Sequence, residues 1–264
     1  MSDQNPVPAV QPGAVDTHCH LFLSDREPRE TVEAARAAGV DRLICVGIDP
    51  ETSRRSLQIA DAIEGVFATA GMHPHDASAF DREAGREIEE LLHDPRVIAV
   101  GECGLDFFRM RSPREDQERV FRAHIAWSNE TGKPLVVHVR DAWPEILRLL
   151  DEGSAERVVI HCFSGDVDIA LECQRRGYWI SFAGNVTYPK NGGFRDAAKV
   201  LDADRIVVET DSPFLAPQKL RGTDNEPANV MLTLAEIARV RGEDVDALAR
   251  VTAANARSAF AGLT

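Results

Sequence analysis

The chain puts imidazoles and carboxylates where short apolar runs end. His18 and His20 flank Cys19 at the close of the run 14–18. Alternate residues on a strand share a face, so both rings can address one cation while Cys19 points away. Such a pair is also compatible with two hydrogen-bonded polar residues at a strand end. Glu102 closes the apolar run 97–102 within Gly101-Glu102-Cys103-Gly104-Leu105-Asp106. A carboxylate there is costly unless paired or metal-bound, and one carboxylate can bridge two divalent ions about 3.5–4 Å apart. Its competing roles are an ion pair or a charge at a helix start. His138 in VVHVR and His161 in VIHCF close two further runs. Either alone reads as a core histidine; together, beside the Glu102 run, they suit a second metal. In Val208-Glu209-Thr210-Asp211-Ser212-Pro213, strand parity turns both acids the same way. Asp211 can complete the site begun by His18 and His20 and take a proton from bound water. Glu209 suits orienting a ligand, or else a salt bridge to an interior arginine.

The elements that must position these groups follow from the pattern around them. Strand candidates are 14–18, 43–48, 66–71, 97–102, 135–139, 157–162, 178–182 and 205–210. Runs so apolar fit strands buried on both faces, as parallel sheets require. Helical stretches lie between them. Ser112-Pro113-Arg114-Glu115 supplies an N-cap, a proline at the first helical position and a capping-box acid, and Asp49-Pro50 does the same earlier. Gly39, Gly132 and Gly177 close helices. Only His93 and His124 fall inside helices; His18, His20, His73, His75, His138 and His161 sit at carboxyl ends of strands. An open doubly wound sheet would scatter those ends, whereas a closed barrel brings them to one face. The expectation is therefore an α/β fold, a (β/α)₈ TIM barrel, as one domain over 14–264.

Bulk properties narrow the class. At 264 residues, with 44% hydrophobic and 28% charged residues, the chain can bury one large core without staples. No apolar run approaches the roughly 20 residues that span a bilayer. Residues 1–13 lack the basic and apolar regions of a signal peptide and read as a disordered, Pro-rich lead-in, so a cytoplasmic protein without membrane association is expected. Five cysteines, an odd number without a CxxC pair, argue against a disulfide framework or a structural zinc site. A net charge of −13 argues against coating nucleic acid with a broad basic face. It leaves room for an enzyme that holds a few phosphates locally.

Taken in order, HCHL, GMHPH, GECGLDFFR, VVHVRDA, HCFSG, YWISFAG, ETDSP and RGTDNEPANV resemble the motifs of TatD-type metal-dependent deoxyribonucleases, within the wider amidohydrolase superfamily. The resemblance runs from Val15 to the carboxyl end. It implies a distorted (β/α)₈ barrel and hydrolysis of nucleic-acid phosphodiesters, often as a 3′→5′ exonuclease; single-stranded DNA, with RNA as the alternative, is the expected substrate. It implies that His18, His20 and Asp211 hold one metal, that His138 and His161 hold the other, and that Glu102 contacts both. Two divalent ions, Mg²⁺, Mn²⁺ or Zn²⁺, are expected. Many superfamily members bridge their metals with a carbamylated lysine ending the fourth strand. The four lysines here (Lys133, Lys190, Lys199, Lys219) are elsewhere, and Glu102 takes that place.

The chemistry so implied is acidification of a water for attack on phosphorus, with Asp211 as proton shuttle and Glu102 and Glu209 in support. His73 and His75 could contact the phosphate or leaving group, or form a rigid turn around Pro74. Arg109, Arg111 and Arg114, with Lys190 as a weaker candidate, suit phosphate positioning; such residues also serve as plain solvated surface. A monomer acting on single-stranded ends is expected. Two rivals stand beside this reading: hydrolysis of an amide, lactone or aminoacyl ester on the same site, and a non-catalytic metal-binding scaffold. Strand alternation makes one prediction of its own. Cys19→Ser and Cys103→Ser should retain metal content and rate; loss of metal with folding preserved would mean that the parity is misread.

Overall fold

The computed structural model describes residues 13–263, so the lead-in expected over 1–13 lies outside the described residues apart from Gly13. Eight parallel strands pair in sequence order: β1 (Ala14–Cys19), β2 (Val40–Val46), β3 (Val66–Ala70), β4 (Val97–Asp106), β5 (Leu135–Arg140), β6 (Val158–Ile160), β7 (Trp179–Phe182) and β8 (Ile206–Val208). Helices alternate with them: α1 (Pro28–Ala37), α2 (Pro50–Ala62), α3 (Arg82–Leu92), α4 (Arg114–Thr131), α5 (Trp143–Glu152), α6 (Val167–Arg175), α7 (Gly192–Val200), α8 (Val230–Arg241) and α9 (Val245–Ala259). This is the expected (β/α)₈ barrel. It is distorted at the β1–β8 seam, where one bridge, Cys19 to Ser212, replaces a ladder. Beyond the strand ends, Asp211 N–H donates to the His18 carbonyl and His20 N–H to the Ser212 carbonyl, each at 2.8 Å. The buried Asp16 side chain adds a clamp by accepting from Thr210 N–H at 2.9 Å and Thr210 Oγ1 at 2.6 Å. No helix among the described residues is long and apolar enough to cross a membrane.

Two apolar layers hold the barrel. One lies between strands and helices. The other fills the interior with Val15, Ile44, Val46, Phe67, Ile98, Ala99, Val136, Val159 and Val207. Ala253, Ala256 and Ala259 of α9, with Phe260 and Leu263 beyond it, belong to this inner cluster. Arg157, just before β6, donates to the carbonyls of Ser258 and Ala259. The carboxyl-terminal helix therefore plugs the end of the barrel where strands begin, and the site must lie at the other.

Several boundaries differ from expectation. β4 runs four residues further, through Asp106, while β6 and β8 stop at Ile160 and Val208. His161, Glu209 and Asp211 are thus in loops, and shared strand parity does not explain why both acids face the site. Asp211 instead takes a left-handed conformation, φ 56°, in a turn pinned to β1. Asp49 caps α2 as expected, with Thr52 completing the capping box. Ser112 does not cap α4, because Pro113 occupies that place. The Ser112 hydroxyl donates to the His75 carbonyl and accepts from Ser78 N–H, tying two loops at the mouth. His93 follows the last turn of α3 as its C-cap.

His124, inside α4, is buried and neutral: its Nε2 accepts from Met72 N–H at 2.9 Å and its Nδ1 donates to the Val120 carbonyl at 2.8 Å. Burial pushes the ring down to about 4 from 6.5. The unfolded chain takes up a proton there that the folded chain refuses. The contribution to stability is full above about pH 6.5 and is lost as pH falls toward 4. His124→Leu should cost about 1–3 kcal/mol in urea unfolding at pH 7.5 by leaving Met72 N–H unpaired. It should also flatten the decline in stability between pH 6.5 and 4. Equal pH slopes in variant and parent would show that His124 does not titrate on unfolding.

Candidate metal centre

β4 is the strand around which the centre is built. Its register against β5 slips between Val100 and Cys103, and its glycines let neighbouring strands come close. A β-carbon on Gly104 (φ 134°) would run into the carbonyl oxygen of His138, and one on Gly71 would lie 2.6 Å from the backbone of Gly101. Between these contacts Glu102 turns inward, while Cys103 and Leu105 join the outer layer. β1 is treated similarly. Its register slips between Asp16 and Cys19, and Asp16 accepts from His18 N–H two residues on. Val15 faces the interior, Cys19 the outer layer and His18 the site, an arrangement that regular alternation from Val15 would not give.

Four imidazoles surround the Glu102 carboxylate. His138 Nδ1 lies 3.0 Å from Oε1, His18 Nε2 3.3 Å from Oε2, His73 Nε2 3.5 Å and His161 Nε2 3.6 Å from Oε1. His20 Nε2 is 3.4 Å from Asp211 Oδ1, and its Nδ1 donates to the Val46 carbonyl at 2.8 Å, which leaves the Nε2 lone pair facing the site. His18 and His161 stack, with ring centroids 3.6 Å apart. His161 Nδ1 lies 2.7 Å from Glu209 Oε1, an oxygen that also accepts from Cys162 N–H. Glu209 thereby fixes the His161 ring with Nε2 toward Glu102, the usual way a carboxylate orients a metal-binding histidine.

Burial alone would raise the Glu102 pKa, but His161, His73, His138 and His18 outweigh it and hold the carboxyl well below its usual range. Burial opposes charge on His161, yet Glu209 and Glu102 lift it to about 10. The same opposition raises His138, through Asp106 and Glu102, and His20, through Asp211. His18 moves down, from burial and the adjacent His161. Glu102, Asp106 and Asp211 thus gather negative charge in a dry space, and the cluster demands positive charge in return, as protons or cations.

The donor set fits cations. Both ring nitrogens of His18 and Nε2 of His138 are buried without a hydrogen-bond partner, an arrangement that otherwise costs free energy. Ligand atoms within 4.8 Å of one another come from His18, His20 and Glu102; from His73, Glu102 and His138; from His18, His161 and Glu209; and from His161, Cys162 and Asp211. Glu102 belongs to two of these groups. All six sequence-predicted ligands converge on one face, together with Glu209.

Outer candidates are placed less uniformly. His73 Nδ1 accepts from His75 N–H, so its neutral ring carries the proton on Nε2; burial pushes it down to about 3. His75 Nε2 lies 2.9 Å from Asp106 Oδ2. Arg109, Arg111 and Arg114 are exposed on the loop after β4, with Arg114 over Phe107 at 4.0 Å. Lys190 is exposed in the turn after β7. These four cations do not touch the cluster. Asp106 lies outside the ligand set that the motifs imply, although it shares alternation with Glu102 along β4. It lies 3.4 Å from His138 Nε2 and accepts from the backbone N–H of Phe108 and Arg109. Cys162 was likewise unassigned, as a half-buried thiol beside His161.

The family model for TatD related DNase matches residues 15–261. An uncharacterized metal-dependent hydrolase, YabD, of Bacillus subtilis is 35% identical over 93% of this chain and 98% of its own length. A protein of Citrobacter koseri named 3′-5′ ssDNA/RNA exonuclease TatD is 36% identical over 90% of this chain and 94% of its own. The crystal structure of the TatD homolog YJJV from Escherichia coli superposes with a TM-score of 0.90 at 26% identity, covering 94% of this chain and 98% of that one. With that match over nearly its whole length and a His/Glu cluster able to bind metal at the barrel mouth, the chain belongs to the TatD-related DNase family of metal-dependent hydrolases.

Proposed function

We propose that this hydrolase cleaves phosphodiester bonds of single-stranded DNA, and of RNA, from the 3′ end with two divalent cations. The observation that carries the reading is Glu102, one carboxylate shared by imidazoles from four different strand ends. Polarity and substrate come from relatives such as the Citrobacter koseri protein, whose name gives both. His18, His20 and Asp211 would hold one cation and His138 and His161 the other, with Glu102 common to both. Bound Mg²⁺, Mn²⁺ or Zn²⁺ supplies acidification of water and neutralisation of phosphate charge.

The remaining work falls to side chains. Asp211, itself held below the usual carboxylate range by His20, His161 and His18 despite burial, stays ionised and accepts the proton of the attacking water. Glu209 keeps His161 in one orientation. His73, neutral and protonated on Nε2, donates to an oxygen of the reacting phosphate. His75, paired with Asp106, keeps that loop in place. Arg109, Arg111, Arg114 and Lys190 meet the flanking phosphates.

Glu102→Gln keeps the shape of the side chain but removes its charge. Metal content per chain should fall and hydrolysis of a single-stranded oligonucleotide should drop by at least about a hundredfold, the order that losing an electrostatic or acid–base group costs. Full activity in that variant would rule out the shared carboxylate. A wild-type enzyme active only on an amide and ester panel would overturn the nuclease reading. Binding should also be weakly salt-dependent, because an acidic chain can neutralise few phosphates. Two or three contacts, each lowering log K by about 0.7 per tenfold rise in salt, give roughly a tenfold loss between 50 and 200 mM salt. A slope implying six or more contacts would point to an extended basic surface instead.

A further inference from the structure

We propose that two exposed aromatic platforms, Phe214 on one flank of the metal centre and Phe108 backed by Arg140 on the other, stack the nucleobases of a single strand. This inference rests on the nuclease reading and extends it to how the strand is gripped. Phe108 is 58% exposed and Phe214 52% exposed, and they are the only exposed phenylalanines among the described residues. Isolated exposed apolar residues are ordinary, but these two sit on the same face, each one turn of chain from a carboxylate of the cluster. Phe108 follows Asp106, which touches His75 and His138. Phe214 follows Asp211, and its ring centroid lies 6.1 Å from that of His20. A continuous chain of contacts joins the flanks through Glu102: His20 to Asp211, Asp211 to His18, His18 to Glu102, Glu102 to His138 and His138 to Asp106.

Both rings project from pinned backbone. Phe108 N–H donates to Asp106 Oδ1 at 3.0 Å, and Phe107 N–H to the Arg140 carbonyl at 2.9 Å. Phe214 N–H donates to the Asp211 carbonyl at 2.8 Å, and the Pro213 carbonyl accepts from Asn225 N–H at 2.9 Å. A ring held on ordered backbone loses little freedom when a base covers it. The Arg140 guanidinium lies 4.1 Å from the Phe108 ring centroid and makes no ion pair among the described residues, and Arg109 lies 5.9 Å from the same ring. A planar cation against an aromatic ring gives an enlarged stacking surface with charge available for an adjacent phosphate.

Stacking is the interaction that suits this chain. With a net charge of −13 it cannot rely on long-range attraction to a polyanion. Base–aromatic contacts require no such attraction, accept any base, and are worth about 1–3 kcal/mol each by alanine substitution. Bases inside a duplex already have both faces covered, so the platforms select unpaired ends. A strand with bases on both flanks would pass across the cluster that joins them.

The test crosses protein and substrate changes. Steady-state cleavage is measured for the wild type, Phe108→Ala, Phe214→Ala, Phe108→Tyr and Phe214→Tyr. The substrates are a single-stranded oligothymidylate and the same strand with its two 3′-terminal positions abasic. Each alanine variant should raise KM on the intact strand by roughly five- to tenfold, the lower end of the stacking range, and tyrosine should restore it. On the abasic strand the alanine penalty should shrink toward none, since ring and base then report one interaction. Wild-type cleavage of the intact strand, with alanine penalties that are absent on the intact strand or undiminished on the abasic one, would overturn the platforms and leave the nuclease reading standing. A wild type that cleaves neither strand would end both.

Discussion

A buried carboxylate facing four imidazoles is the constraint on which the rest of this structure depends. Glu102 cannot remain ionised in a dry barrel mouth without compensating groups around it, and His18, His73, His138 and His161 come from four different strand ends to meet it, His138 and His161 raised toward their charged forms. Convergence of that kind needs a closed barrel. It also needs β4 to approach β3 and β5 more closely than side chains allow, which is where Gly71, Gly101 and Gly104 act. The shape of the sheet near the site is thus the shape that lets one carboxylate meet its partners.

Much of this was legible in the sequence because it depended on local pattern. Apolar runs alternating with helical stretches identified the eight strands, and histidines at their ends distinguished a barrel from an open sheet. The positions of the side chains that converge at the mouth could be read for the same reason. Strand limits could not: β6 and β8 are short because His161, Glu209 and Asp211 leave the ladder to reach the centre, and alternation has no term for such a departure. The register slip in β1 is equally invisible, since it turns on Asp16 accepting a bond from His18 N–H. Ser112 matched a helix-capping pattern, yet its hydroxyl was claimed by a distant loop at His75 and Ser78.

What the sequence concealed most was exposure. Phe107 and Phe108 are adjacent and identical in type, but Arg114 covers the first while the second projects from the rim beside Arg140. Asp106 could have been found by continuing the alternation from Glu102 through Gly104. Arg140 could not, because an arginine after a strand is ordinary until a ring is seen beneath it.

The seam between β1 and β8 joins parts of the chain that are far apart in sequence: Asp16 and Thr210 are separated by 194 positions. With one bridge in place of a ladder, closure leans on Asp16, on Thr17 Oγ1 donating to the Val208 carbonyl, and on the bonds around Asp211 and His20. Contacts this remote carry a loop-closure entropy, one that grows only slowly with the length of chain enclosed. His20 and Asp211 lie on opposite sides of that seam, so a cation held between them would act as a clasp, joining the two ends of the sheet. Catalytic competence and barrel closure would then share one equilibrium, because a ligand that binds only the folded chain favours closure by mass action.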